Sequence, residues 1–531
     1  MLHTAQAYGG MVVAPHHLAA EAGRDVLRDG GNAIEAMLAA AAAIAVVYPH
    51  MNGLGGDNFW LIHEPGETPL AIEACGTAAN AATLAHYRDR GLAEIPGRGP
   101  LAALTVAGAV AGWGAAHALS QQRWGGRRRL ADLLAAAIGH ARDGFPVTRS
   151  QAETTADKRD GLQDVAGFAD LFLPGGNATS EGERFIQPLL AEVLEALGRD
   201  GADSFYRGDM ARLLAHGLAA AGSPLRLADL ESFQAKAVAP LSVPVAGHSV
   251  FNLPPPTQGL AALMILAIAD RLGSTRGADE SAYVHGLVEA TKQAFVVRDR
   301  IIGEPLTMAA SPAIYLQPAA LDAMAAAIDP AVAAPWPPAR IGGDTVWLGA
   351  VDREGRAVSF IQSLYWEFGS GIVVPGTGIV WQNRGMSFRL TDGHPNVLGP
   401  GRRPFHTIQP ALARLSDGRV MAYGTMGGDG QPQTQARLFT GHVLRGMGLQ
   451  EVVSAPRWLL GRTWGEETSA LRLESRFAPE VVHGLRQRGH DVRLAADFDS
   501  VMGHAGALVG WPDGRIEGAA DPRGDGQACG V

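Results

Sequence analysis

The chain of 531 residues contains only two cysteines, Cys75 and Cys529, which lie far apart. This count excludes a fold held together by a disulfide framework. Charged residues make up 18% of the chain and hydrophobic residues 47%, as in a globular protein with a large core. The net charge is −9, and Lys and Arg are scattered, so the sequence gives no electrostatic basis for binding nucleic acid or an anionic membrane.

Long apolar runs, repeats and metal-binding motifs are also lacking. The longest apolar run, residues 36–47, is too short to span a bilayer and is interpreted as a buried helix. The first eight residues lack the basic and apolar regions of a secretory signal, so we expect a cytoplasmic protein. The histidines, including His16 and His17, show no ligand spacing of the HExxH type, and no metal site is predicted.

Hydrophobic periodicity predicts a mixed α/β order. Strands are expected at 11–14 and 59–63, and helices at 17–28, 33–47, 130–142, 186–197, 259–272, 283–300, 434–445 and 479–488. Residues 330–343 contain four prolines and a glycine pair, which predicts a loop or linker. Short strands dominate after this segment, so a natural break falls between Asp344 and Thr345.

Thr345 stands at that break, directly before a predicted hairpin formed by residues 346–351 and 357–361. If the chain is cut before Thr345, this residue gains a free α-amine beside its own hydroxyl. A nucleophile and a base then lie on one residue, which is a recognised way to activate threonine. The alternative is that Thr345 only favours the strand.

Eight short blocks, in order along the chain, resemble the gamma-glutamyltranspeptidase family of N-terminal-nucleophile hydrolases. They are GGMVVA (9–14), DGGNA (29–33), GLGGDNF (53–59), ARDGFPV (141–147), PPPTQG (254–259), FGSGI (368–372), GTMGG (424–428) and GAADPR (518–523). The resemblance implies an α/β fold, a four-layer αββα sandwich, without a cofactor. It also implies cleavage at Asp344-Thr345 into a large fragment, 1–344, and a small fragment, 345–531, that together form one intertwined domain.

The same resemblance implies a mechanism for both cleavage and catalysis. The Thr345 hydroxyl attacks the Asp344 carbonyl, an N-to-O acyl shift follows, and water resolves the ester. The new α-amine then serves as general base when Thr345 attacks an amide. Ser363 matches the hydroxyl residue that supports this amine, although a polar residue on one strand face is an equal alternative. Gly427 and Gly428 match the glycines of the oxyanion hole, with a simple turn as the alternative.

The expected substrate pocket departs from the transpeptidases. Cys75 stands where the family has an arginine for the substrate α-carboxylate, and Ser387 stands where an aspartate holds the α-amine. Arg384 replaces an acidic or amide neighbour, so an α-ammonium would be repelled. Tyr365 replaces an asparagine. These changes predict that glutathione is a poor substrate.

His406 and Thr407 replace the family's paired serines. With Arg384 and Tyr365, they suit a small amide that bears a carboxylate, which resembles the oxamate amidohydrolase branch of the family. Alternatives remain for three of these residues. Arg384 is also compatible with an outward-facing side chain or with an ion pair between the two fragments. His406 is compatible with a core histidine bonded to backbone, and Cys75 with a small apolar residue of the pocket wall. Alternative functions are a dicarboxylic acylase, a gamma-glutamyl hydrolase or transferase, and a non-catalytic binding module.

Overall fold

The computed structural model describes residues 3–277, 279–308, 310–337, 343–461 and 469–531, with only the backbone of Asp344. The helices of these residues are α1 (His17–Arg28), α2 (Ala33–Val47), α3 (Leu84–Arg88), α4 (Ala109–Arg123), α5 (Leu130–Asp143), α6 (Arg149–Leu162), α7 (Phe168–Phe172), α8 (Pro188–Asp200), α9 (Asp209–Ala220), α10 (Leu227–Ser232), α11 (Gly259–Leu272), α12 (Glu280–Ile301), α13 (Pro318–Ala326), α14 (Gly430–Phe439), α15 (Leu449–Ser454) and α16 (Pro479–Gln487). None of them has the length and apolarity to cross a membrane.

The strands of the described residues are β1 (Ala5–Ala7), β2 (Gly10–Ala14), β3 (Asp57–His63), β4 (Leu70–Ala74), β5 (Phe145–Pro146), β6 (Arg184–Phe185), β7 (Lys236–Val238), β8 (Leu241–Val245), β9 (His248–Asn252), β10 (Asp344–Asp352), β11 (Ala357–Tyr365), β12 (Val373–Val374), β13 (Ile379–Val380), β14 (Ala411–Arg414), β15 (Val420–Thr425), β16 (Trp458–Leu460), β17 (Leu471–Glu474), β18 (Val492–Ala495), β19 (Ala505–Gly510), β20 (Ile516–Ala520) and β21 (Gln527–Gly530).

Two seven-stranded sheets form the centre of the molecule. The first has the order β1-β20-β19-β15-β14-β9-β8, and the second has the order β21-β2-β10-β11-β3-β4-β7. Their facing surfaces share one core, in which Trp347 of β10 packs with Phe59 of β3 and Leu412 of β14. The outer face of the second sheet packs on α2, and that of the first sheet packs on α11 and α14, with α12 against both of these helices. The four layers are therefore α, β, β and α, as predicted.

Local sequence signals explain where the long helices begin. The Asn32 side chain accepts the Glu35 N–H (3.0 Å), and Glu35 returns a bond from the Asn32 N–H (3.1 Å), so a capping box starts α2. All residues of α2 are buried, which confirms the interpretation of the alanine-rich run. The Asp279 side chain accepts the Ala282 N–H (2.9 Å) and starts α12.

The first part of the predicted linker has no helix or strand but is hydrogen-bonded to α12. His285 Nε2 on α12 donates to the carbonyl of Asp329, directly before the linker, at 2.9 Å. Lys292 Nζ donates to the Ala334 carbonyl at 2.5 Å, and the Ala334 N–H donates to Glu289 Oε2 at 3.1 Å. Residues 338–342, also within the predicted linker, lie outside the described residues. The chain is thus fixed at Ala334, eleven residues before Thr345.

His490 completes this cluster, which we call the linker clamp (His285, Glu289, Lys292 and His490). His285 Nε2 faces a carbonyl and therefore carries a proton, so His285 Nδ1 accepts from His490 Nε2 at 2.9 Å. One side-chain nitrogen or oxygen atom from each of His285, Glu289 and His490 lies within 4.8 Å of the others, a spacing that would suit a metal ion. However, Lys292 Nζ lies 2.6 Å from Glu289 Oε1, so an ammonium already supplies the positive charge that this carboxylate needs.

Candidate active site

Alternation along three neighbouring strands brings Thr345, Ser363 and Asp57 to the same face of the second sheet. Thr345 lies two residues before Trp347, and Ser363 two residues after Ile361; both reference residues belong to the core between the sheets. Asp57 is the register partner of Ser363 across β3 and β11. The candidate site therefore lies at one end of the inter-sheet core, where apolar residues give way to polar ones.

Thr345 and Ser363 are in direct contact at an irregularity of the sheet. The β10–β11 register shifts between Asp344 and Val346, so Thr345 faces two residues of β11 instead of one. The Thr345 hydroxyl donates to Ser363 Oγ at 3.3 Å, a long bond, and both residues are buried. Ser363 Oγ also accepts the Tyr365 N–H at 2.8 Å. Ser363 is thus placed to orient the Thr345 hydroxyl.

Gly343 and Asp344 lead directly into Thr345 at the start of β10. Gly343 is buried, and a Cβ added to it would lie 2.9 Å from a ring atom of Tyr365 and 3.2 Å from the Thr407 hydroxyl. Tyr365 has a φ of 84°, a left-handed conformation that is strained for a residue with a side chain. Gly343 therefore lies close to the predicted pocket residues Tyr365 and Thr407.

Arg384 forms the centre of that pocket. It lies in a 3₁₀ turn, Arg384–Ser387, and its guanidinium carbon is 3.3 Å from the centre of the Tyr365 ring. Arg384 donates to the Thr407 hydroxyl at 3.1 Å and to the Ser387 hydroxyl at 2.6 Å. Arg384 is 2% exposed, so the alternative of an outward-facing side chain is wrong. Burial lowers the pKa of Arg384 to about 10, and the side chain remains a cation at neutral pH.

His406 and Asp57 lie near the Arg384 cation, in the same buried region. His406 Nε2 is 3.8 Å from Asp57 Oδ2, and among the described residues neither ring nitrogen of His406 has a hydrogen-bond partner. The backbone-bonded alternative for His406 is therefore wrong. Burial lowers the pKa of His406 well below its ordinary value, with a further contribution from Arg384, so the ring is neutral.

Cys75 lies in the same buried region, directly before Gly76, whose N–H donates to Asp57 Oδ1 at 2.9 Å. Burial raises the pKa of the Cys75 thiol well above its ordinary value, and the negative charge of Glu73 adds to this effect. A thiol in this environment is a poor nucleophile.

Gly427 and Gly428 form the turn between β15 and α14. Their φ angles of 116° and 50° are left-handed, which favours glycine over residues with a Cβ. Gln258 Nε2 fixes the turn by donating to the Gly428 carbonyl (2.8 Å) and the Thr407 carbonyl (2.6 Å). One side chain thus links the candidate oxyanion turn to the Arg384 pocket.

A buried ion pair holds this link in place. Arg298 of α12 donates to Gln258 Oε1 at 2.9 Å and to Asp429 Oδ1 at 2.8 Å. The N-terminal end of α14 follows at Gly430, where the helix dipole favours negative charge. The turn is therefore compatible with stabilisation of an oxyanion.

Sequence reasoning did not select Asp57, Gln258 or the Arg298–Asp429 pair. Asp57 and Gln258 lie inside blocks that carry the family resemblance, GLGGDNF and PPPTQG. Asp57 begins a strand that contains no other charged residue before His63. Such an isolated acidic residue is a sequence signal that could have selected it. The sequence offers no comparable signal for the pairing of Arg298 with Asp429, which lie far apart along the chain.

The gamma-glutamyltranspeptidase family model matches residues 19–531. The chain belongs to the gamma-glutamyltranspeptidase family. The oxamate amidohydrolase proenzyme of Klebsiella pneumoniae subsp. pneumoniae is 55% identical over 521 residues, 98% of each chain. The glutathione hydrolase-like YwrD proenzyme of Bacillus subtilis is 40% identical over 98% of each chain.

Among solved structures, this gamma-glutamyltranspeptidase-family chain is similar to a cephalosporin acylase from Bacillus halodurans. The TM-score is 0.91 at 32% identity, over 100% of this chain and 97% of the acylase. The relatives are named as amidohydrolase, hydrolase and acylase. These comparisons confirm the predicted family and fold class, and the chain is an amide-bond hydrolase.

Proposed function

We propose that the protein is a self-processing amidohydrolase that acts on a small amide bearing a carboxylate, such as oxamate. The contact of Gly343 with Tyr365 and Thr407 carries this proposal. It joins the residue two positions before Thr345 to the pocket of the buried Arg384 cation. A carboxylate in that pocket would lie close to the nucleophile.

Self-cleavage would begin when the Thr345 hydroxyl attacks the Asp344 carbonyl carbon. Transfer of the acyl group from nitrogen to oxygen leaves an ester, and water hydrolyses it. The products are a large fragment ending at Asp344 and a small fragment beginning at Thr345. The two fragments would remain together as a heterodimer.

Catalysis would use the new α-amine, whose reference pKa of about 7.7–8.0 suits a general base near neutral pH. The amine takes the hydroxyl proton as Thr345 Oγ bonds to the amide carbon. The N–H groups of Gly427 and Gly428 would stabilise the oxyanion. The amide nitrogen leaves as ammonia with that proton, and water then hydrolyses the acyl-enzyme to the free acid.

The buried Arg384 cation supports the proposed substrate class of small amides that bear a carboxylate. Its guanidinium would bind the substrate carboxylate, together with the hydroxyl groups of Thr407 and Ser387. An α-ammonium would meet this cation, and Cys75 offers no second guanidinium for an α-carboxylate. These contacts favour an oxamate-like amide over a gamma-glutamyl group.

A dicarboxylic acylase is the second candidate, favoured by the 0.91 TM-score against cephalosporin acylase. It shares the nucleophile and Arg384 but requires a longer acyl chain in the pocket. Glutaryl and oxalyl amides therefore separate the two candidates.

The test combines intact-mass analysis with turnover. Wild-type protein should yield two fragments that meet at Asp344-Thr345 and release ammonia from oxamate, and Thr345→Ala should remain uncut. Arg384→Gln should still be cut but should lose oxamate turnover. Turnover of a gamma-glutamyl anilide alone would contradict the substrate class, and a wild-type chain that stays whole would contradict the mechanism.

A further inference from the structure

Three buried polar groups meet without partners behind the candidate nucleophile. Among the described residues, Asp57 Oδ2, His406 Nε2 and Arg384 Nε make no hydrogen bond, and their residues are 1%, 0% and 2% exposed. A buried polar group without a partner is destabilising, because it has lost its bonds to water. A site that leaves three such groups together is suited to a ligand that supplies their partners.

The carboxyl group of Asp57 is held in one orientation. Its Oδ1 accepts three hydrogen bonds, from the Gly76 N–H (2.9 Å), the Gly108 N–H (2.9 Å) and Gln382 Nε2 (3.1 Å). Oδ2 is left facing His406 Nε2 at 3.8 Å, too far for a direct hydrogen bond. The fixed Oδ1 therefore directs Oδ2 as an acceptor into the site.

The position of Asp57 relates this acceptor to the reaction. Asp57 and Ser363 are register partners, so their side chains lie about 5 Å apart on the same face of the sheet. Ser363 Oγ is in turn 3.3 Å from the Thr345 hydroxyl. The order across the strands is Thr345, Ser363, Asp57, with Arg384 close enough for its charge to act on Asp57.

A small acidic amide has three groups that need partners. The carboxylate is matched by Arg384, and the amide oxygen by the Gly427-Gly428 turn, under the proposed function. The two N–H groups of a primary amide remain, and they require an acceptor. Asp57 Oδ2 is a buried acceptor of this kind without a partner among the described residues.

We propose that Asp57 is the specificity-determining residue for the amide nitrogen and that its Oδ2 accepts an N–H of a primary carbamoyl group. His406, neutral and adjacent, forms the other wall of this subsite. Asp57 thus selects substrates that release ammonia over esters and fully substituted amides. This inference rests on the proposed function and adds the leaving group to it.

The test compares two substrates that give the same acyl-enzyme, oxamate and monoethyl oxalate, because the ester has no N–H. Asp57→Asn keeps the shape but presents an NH₂ donor in place of Oδ2. Asp57 is ionised above its pKa of about 7, so both substrates are compared above pH 8. A hydrogen bond to a charged group contributes about 1.5–3 kcal/mol, which corresponds to roughly 10- to 150-fold. We expect kcat/KM for oxamate to fall by this factor and that for the ester to change less than about threefold.

Asp352→Asn is the matched control, because Asp352 is also a buried aspartate of the second sheet and lies at the far end of β10. It should leave the amide-to-ester ratio unchanged. If Asp57→Asn fails to fold, wild-type protein alone decides the question. Oxamate should then exceed N,N-dimethyloxamate by more than about 100-fold in kcat/KM, and equal values would overturn the proposal.

The outcomes separate this inference from the proposed function. An equal loss with amide and ester in Asp57→Asn overturns the role of Asp57 and leaves the proposed function standing. Cleaved wild-type protein that turns over neither oxalyl substrate overturns the proposed substrate class. Glutaramate and monoethyl glutarate then provide the same amide-to-ester comparison for Asp57, and an unchanged ratio there overturns its role.

Discussion

Ser363 serves two partners at once, since its Oγ accepts from both the Thr345 hydroxyl and the Tyr365 N–H. This arrangement connects the proposed nucleophile to the strained residue Tyr365, whose ring packs on Arg384. The hydroxyl of Ser363 therefore links the Thr345 hydroxyl to the Arg384 pocket.

We predict that Ser363→Ala slows self-cleavage and lowers kcat on oxamate by at least about tenfold, with a smaller effect on KM. The loss follows because the Thr345 hydroxyl loses its orienting partner and the Tyr365 N–H is left unpaired at about 1–3 kcal/mol. Intact mass against time and steady-state kinetics measure the two effects. Ser359→Ala is the control, because Ser359 lies on the same face of β11 and accepts from Trp347 Nε1 (3.0 Å). Equal effects of both variants would contradict the prediction.

Asp57 gives a prediction on pH. Burial raises its pKa to about 7 from 3.8, so the folded state disfavours the ionised form. The stability associated with this group is complete below pH 4 and is lost as the pH rises through 7. The difference between the two pKa values corresponds to roughly 4 kcal/mol at most.

Thermal unfolding of Asp57→Asn and its parent, both in the Thr345→Ala background, checks this sign. The Tm of the Asn variant relative to its parent should increase between pH 4 and 7 and become constant above pH 8. A difference in Tm that does not vary with pH would contradict the raised pKa.

At the scale of elements, helices with a clear beginning and end could be predicted from sequence. The helices predicted at 17–28, 33–47 and 259–272 are confirmed with the same bounds. The helix predicted at 186–197 is shifted, because Pro188 takes the first turn of α8 and Gly201 follows its end. The helix predicted from 434 begins at Gly430, since the glycine turn and Asp429 precede it directly.

The site was predicted less completely than the helices. The family resemblance selected the pocket residues, and the structure brings Tyr365, Arg384, Ser387 and Thr407 together. The register shift opposite Thr345 and the left-handed Tyr365 follow from tertiary packing and have no local sequence signal. Asp57 was missed because the groups that surround its carboxyl, Gln382 and His406 among them, are distant in sequence.

The linker clamp leads to a prediction for α12. The double variant Glu289→Leu/Lys292→Met removes both buried charges together, avoids an unpaired one and removes the acceptor of the Ala334 N–H. It should expose the amide of Ala334 to hydrogen exchange. Release of Ala334 also raises the entropic cost of placing Thr345 for attack, so self-cleavage should slow by about twofold or more.

Hydrogen exchange in the Thr345→Ala background and a time course of cleavage test the clamp. Thr291→Val is the control, because within the described part of the chain the Thr291 hydroxyl bonds inside α12, to the Leu287 carbonyl (2.8 Å). The clamp proposal fails if the Ala334 amide stays protected in the double variant. One bound transition metal per wild-type chain, lost in His490→Ala, would also overturn it.

At the scale of the whole molecule, both sides of Asp344-Thr345 contribute strands to both sheets. In the second sheet β2 lies between β21 and β10, and β11 pairs with β3. In the first sheet β1 pairs with β20, and β9 with β14. Neither part can leave without breaking strand pairs in both sheets.

The cleaved protein should therefore behave as one particle with the same mass as the uncut Thr345→Ala protein. Size-exclusion chromatography with light scattering should give equal masses for the two in native buffer, and the fragments should separate only in denaturant. The two fragments of the cleaved protein should also unfold together, in one transition. Free large and small fragments in native buffer would show that the strand pairs do not hold them together.

The buried contact of Gly343 with Tyr365 and Thr407 has a consequence for timing. Under the proposed mechanism, every molecule is its own first substrate, and the new carboxyl terminus at Asp344 is its first product. The catalytic rate of a preparation therefore counts only those molecules that have already completed one reaction on themselves.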